Sequence, residues 1–227
     1  MALNKAHTSG WVKALIIFLI ICFVSLFMYT GITGLVDLFN QPAQPKVATP
    51  TAAQAVAAIN AKHQASAEAL KVVAVSQPTS YTATVNLANA YFDWAQELSS
   101  PAAGQSQPTT EAIAAAIQTW ALARAEYDKA TKIKPKDPSV QTDRSISMFY
   151  SNDTTAAVVT VRKVLADNPT FAPAWLNIGL YYDALAQTEQ AILAYQKYIA
   201  LDPQGQNVAY AKQRLGVLTG AGSSSTK

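Results

Sequence analysis

The sequence predicts an all-α protein: one membrane-spanning helix, an extended linker, then a solenoid of antiparallel helix pairs closed by a capping helix. Three observations carry that prediction. An uncharged run of 23 residues fills 14–36. Pro135, Pro169 and Pro203 recur at intervals of 34 residues. Around them the chain is Ala-rich and broken by proline, with none of the apolar–polar alternation that a half-buried strand requires.

The N-terminal run, beginning ALIIFLIICFVSLFMYT, is long enough to cross the ~30 Å hydrocarbon layer of a bilayer. Trp11 and Tyr29 stand where interfacial anchors belong. A cleaved signal peptide would have an apolar region of about 7–15 residues and a small-residue cleavage site close behind it. Neither is found, so 14–36 reads as an uncleaved signal anchor after a short tail, 1–13. Lys5 and Lys13 precede the run, Asp37 follows it, and the next basic residue is Lys46. On that bias of two lysines the N-terminus stays inside and the rest of the chain is extracytoplasmic. Residues 37–52, with Pro42, Pro45 and Pro50, read as a Pro-rich linker.

Composition excludes several classes of function. Half the 227 residues are apolar and only 14% are charged, which is too apolar for a disordered chain. A net charge of +3 does not make a nucleic-acid surface. The densest basic stretch, Lys129 to Lys136, reads as the solvated end of a helix. Cys22 is the single cysteine and lies in the apolar run, while His7 and His63 are far apart. No metal, cofactor or enzyme activity is therefore expected. Asp137, Asp153, Asp167 and Asp202 fall at turns, where a carboxylate bonds local backbone.

Twelve residues before each of the three prolines stand Ala123, Ala157 and Ala191; four residues after each alanine come Tyr127, Val161 and Tyr195. A fixed period of this length marks stacked helix pairs, none of which can bury its apolar face alone. In the last unit Trp175, Ile178, Gly179 and Tyr182 fall at i, i+3, i+4 and i+7, on the buried stripe. A glycine there costs about 1 kcal/mol relative to alanine. Either another element approaches closely at Gly179, or the glycine is merely tolerated.

At these residues the sequence resembles the tetratricopeptide repeat (TPR) family. Trp175, Ile178, Gly179, Tyr182, Ala191, Tyr195 and Pro203 occupy the pattern's W, L, G, Y, A, F and P places. The resemblance implies that the two helices of the unit meet at Gly179 with Ala191 opposite. Tyr198 replaces the pattern's last alanine, so the next helix must make room for a ring. The middle unit, 138–169, keeps Ala157, Val161 and Pro169, but Ser145 replaces the glycine. The first unit, 78–135, carries Leu87, Ala88, Tyr91, Ala123, Tyr127 and Ala130, with 23 extra residues. Its helices are expected to be lengthened, with Ser99 to Pro108 as an exposed tip. A half-unit at 53–77 precedes it, a cap at 207–218 closes the solenoid (53–218), and 219–227 is a tail.

The resemblance implies a protein–protein interaction scaffold or adaptor whose first helices line a concave face. Read onto this chain, that face comprises Val85, Asn89 and Phe92, then Thr142, Ile146, Phe149 and Tyr150, then Leu176, Leu180 and Asp183. It is apolar enough to receive a partner's helix. Alternatively the segment 53–75 folds into it, or these side chains belong to the core. Some TPR proteins clamp a C-terminal carboxylate. Asn89 sits at one such place, but Val85, Pro173 and Asn177 occupy the places of the basic partners. A structural accessory subunit of a membrane enzyme complex and a cytosol-facing receptor on an organelle membrane remain as alternative roles.

Overall fold

A computed structural model describes residues 51–101 and 105–220. The tail 1–13, the anchor 14–36, most of the linker 37–52 and the chain end from 221 lie outside the described residues. Among the described residues, no helix is long and apolar enough to cross a membrane.

These residues form eight helices and no strand: α1 (Ala52–Ser76), α2 (Tyr81–Leu98), α3 (Thr110–Ile133), α4 (Pro138–Tyr150), α5 (Thr154–Asp167), α6 (Ala172–Ala184), α7 (Thr188–Leu201) and α8 (Val208–Leu218). Polar caps start the first five. Thr51 and Gln54 form a reciprocal capping box, so α1 begins at the end of the stretch read as linker. Ser80 and Thr109 cap α2 and α3. Asp137 and Asp153 cap α4 and α5, satisfying backbone N–H groups that the first helical turn leaves open. Two pairs turn through a left-handed residue, Asn152 (φ 66) between α4 and α5 and Ala186 (φ 55) between α6 and α7.

The pairs α2–α3, α4–α5 and α6–α7 stack in chain order, with α1 against α2 and α8 against α7. Ala67, Leu70 and Ala74 of α1 join the core that holds Leu87, Ala88 and Tyr127. Trp94 Nε1 donates to Asn60 Oδ1 at 3.0 Å and fastens α1 to α2. The alanines of the period, Ala123, Ala157 and Ala191, are all fully buried. Trp175 packs between the last two pairs and donates its Nε1 to Pro169 O at 2.8 Å. Tyr182 packs against the same two clusters.

Gly179 is a close-approach glycine. A Cβ there would lie 2.9 Å from two ring carbons of Tyr195, itself completely buried. The atoms nearest that Cβ all belong to the Tyr195 ring, which is what presses on the glycine. In the middle pair, Ser145 stands at the glycine's place and Val161 at the tyrosine's. Ser145 Oγ donates to Thr142 O at 2.6 Å, and Tyr181 OH of the next pair donates to Ser145 Oγ at 2.9 Å. Tyr198 is buried too, and α8 makes room for its ring with Val208 and Ala211. Arg214 of α8 grips Asp183 with two hydrogen bonds, at 2.7 and 3.0 Å. The cap is thereby tied to α6.

Candidate protein-binding groove

The first helices of successive pairs present residues at i, i+4 to a common side. Phe92 and Gln96 come from α2, Ile146 and Tyr150 from α4, Leu176 and Leu180 from α6, and Tyr210 from α8. With Ser99, Ser100, Trp120, Asn177, Tyr181 and Asn207 they line a groove of about 470 Å³. No residue of α1 lines it, so the expectation that 53–75 might fill the face is not met. No charged side chain lines it either.

A ladder of rings stiffens this surface. Phe92 meets Trp120 edge-on at 4.8 Å, and Trp120 stacks on Tyr150 at 5.0 Å. Tyr150 meets the edge of Phe149 at 5.0 Å, and Phe149 stacks on Tyr181 at 4.9 Å. Such ring pairs add about 0.5–1.5 kcal/mol each beyond the area they bury. Trp120 is held from behind: its Nε1 donates to Ser99 Oγ at 3.1 Å, and Ser99 Oγ donates to Ala95 O at 2.7 Å. Of the exposed tip expected at Ser99 to Pro108, Ser99 is the exception, half-buried and anchored, whereas Ser100, Pro101 and Gln105 to Gln107 are exposed. Tyr150 and Tyr210 remain 41% and 39% exposed, offering flat aromatic surface to the groove.

Five of the ten expected face residues line the groove: Phe92, Ile146, Tyr150, Leu176 and Leu180. The other five do not. Thr142 is corrected to a buried position, because its Oγ1 donates back to Pro138 O at 2.7 Å and turns the side chain inward. Val85 packs into the α1–α2–α3 core, and Phe149 packs beneath Tyr150. Asp183 is taken up by Arg214. Asn89 is exposed toward α1 and accepts a hydrogen bond from Tyr127 OH at 2.7 Å. Burial pushes that phenol far above its ordinary range.

Gln96, Ser99, Ser100 and Trp120 lay outside the expectation. Gln96, Ser99 and Ser100 sit on the lengthened part of the first pair, which a 34-residue template does not count; Trp120 lies within the frame, at the place of Thr154 and Thr188, and its position one turn before Ala123 was the available signal. Asn207 and Tyr210 belong to the cap, which behaves as the first helix of a further pair. One turn before Ile146 stands Asp143, whose carboxyl is pushed up to about 6 by burial, with Asp137 and Asp93 adding to the shift. Among the described residues no cluster of three His, Cys, Asp or Glu side chains could hold a metal ion.

Residues 172–204 match the tetratricopeptide repeat family model. The last helix pair is thus similar to a tetratricopeptide repeat. The TPR-like stacking extends through the other pairs. MamA is similar in structure, at a TM-score of 0.55 and 20% identity over 72% of this chain and 81% of that one. A double mutant of MamA from RS-1 gives 0.53 at 19% identity, covering 78% and 88%. A thermophilic TPR protein of Thermus thermophilus gives 0.50 at 14%, covering 67% and 71%. At these identities the likeness is one of fold. A search of the curated proteins found no match.

Proposed function

We propose that the protein is a membrane-anchored scaffold that seats an apolar or amphipathic segment of a partner protein in the groove between α2, α4, α6 and α8. One observation carries the reading: an uncharged, ring-lined groove with Tyr150 and Tyr210 still exposed, on a repeat fold whose concave surfaces serve binding. The uncharged run at 14–36 and the linker at 37–52 support tethering at a bilayer, and Lys5 and Lys13 before the run support an extracytoplasmic domain.

Two substitutions test the groove. Leu180→Asp and Tyr150→Ala alter its lining at partly exposed positions, so helicity should be kept and stability should fall by about 1–3 kcal/mol. Partner capture should be lost. Capture that survives both variants contradicts the groove. For the anchor, the chain should stay with membranes through an alkaline carbonate wash. A mature protein beginning after Val36 would contradict it.

A further inference from the structure

We propose that the segment seated in the groove carries a lysine or arginine about one helical turn from its large apolar side chain, and that this cation meets Asp143 and Asp93. The proposal rests on the groove being the binding surface and adds the charge of its occupant.

Asp143, Ile146 and Tyr150 fall at i, i+3 and i+7 of α4, on one face of that helix. Ile146 and Tyr150 line the groove, and Asp143 stands one helical turn before Ile146 on α4, outside the lining itself. Asp93, on α2, follows the groove residue Phe92 but lines the neighbouring depression between α1 and α2, with His63 and Asn89, and its charge reaches Asp143. Among the described residues, neither Asp143 nor Asp93 has an ion-pair or side-chain hydrogen-bond partner. The surrounding arginines are committed elsewhere: Arg144 to Asp128, Arg124 to Asp153 and Arg214 to Asp183. Asp137, the third acid of the group, is satisfied by Tyr81 OH and by two N–H groups at the start of α4. A partly buried carboxylate left unpaired beside like charges costs free energy that an incoming cation recovers. Burial holds the Asp143 carboxyl at about 6, which agrees with a site lacking its counter-charge. An apolar floor with anionic groups one turn away is complementary to an amphipathic basic segment, and an acidic one would be repelled.

Random peptides about four helical turns long, displayed on phage, can be selected on the purified full chain in detergent. Fluorescence anisotropy then measures the recovered peptides against the chain and its variants. The expected peptides carry Lys or Arg three or four residues from Leu, Phe, Trp or Tyr. Their affinity should fall about tenfold or more in Asp143→Asn, fall less in Asp93→Asn, and vanish in Leu180→Asp. Peptides that need Leu180 but show no basic enrichment, and that bind Asp143→Asn and Asp93→Asn as well as the unaltered chain, overturn the proposal and leave the groove reading standing. Recovery of no peptide, or of peptides indifferent to Leu180→Asp, overturns both together.

Discussion

The α4–α5 and α6–α7 pairs occupy the same places of the 34-residue frame and close their seams with opposite choices. In α6–α7 a glycine faces a tyrosine, and the ring lies where a Cβ would go. In α4–α5 a serine and a valine hold the two places, and the smaller valine leaves room for the serine side chain. That serine is then used outward, through Tyr181, to bond the next pair. The comparison teaches that the frame fixes summed volume at the seam rather than residue identity. A pair can leave the family pattern at both places together and still stack.

The largest expected effect comes from breaking the glycine seam. Gly179→Leu forces a branched side chain against a ring that is fully buried, and should cost about 3 kcal/mol or more in thermal unfolding. A raised melting temperature would mean that the seam is loose and the glycine incidental.

The second test moves one pair toward the other. Val161→Tyr places the ring of the last pair in the middle one and should cost about 2 kcal/mol. Adding Ser145→Gly should recover part of that loss, with a coupling of about 1 kcal/mol or more beyond the sum of the single changes. Strict additivity would show that the two places are independent.

A third test separates the pairs by pH. Burial raises the folded-state pKa of Asp143 to about 6, from an ordinary value of 3.8, so ionisation is disfavoured in the folded chain. Stability is then greatest below the ordinary value and declines as pH climbs through about 6. After discounting for its partial exposure, Asp143→Asn should stabilise by about 1 kcal/mol at neutral pH and by nothing near the ordinary aspartate pKa. An equal effect at both pH values would contradict the assignment.

The smallest effect concerns the turns. Ala186 adopts the left-handed backbone in the last pair, and Asn152 does so in the middle one. Asparagine tolerates that region better than alanine does. Ala186→Gly should raise stability by about 0.5 kcal/mol, and Asn152→Gly by less. The reverse order in melting would contradict this comparison.

The repeat was legible because proline, glycine and small residues at fixed places encode backbone geometry directly. Pro135, Pro169 and Pro203 mark helix ends, and Gly179 marks a close approach. The groove was legible only in part, because its membership depends on contacts between distant residues. Asp183 falls on the expected face, yet it is consumed by Arg214 from α8, which no local period reveals. Thr142 also falls there, but its hydroxyl satisfies a carbonyl of its own helix and leaves the surface. Trp120 keeps the count, but it belongs to the second helix of its pair, and the expected face was read from first helices alone. Gly179 was legible as a close approach, but the pattern did not reveal that the Tyr195 ring is what lies nearest to it.

The central claim is that a partner sits in the groove, and site-specific photo-crosslinking in the living cell tests it most directly. A benzophenone amino acid replaces Tyr150 inside the groove or, as a control, Leu193, which is 64% exposed and outside the groove lining. The account predicts a discrete adduct from position 150 that disappears when Leu180→Asp is added, and none from position 193. Equal adducts from both positions, or adducts from position 193 alone, would contradict it.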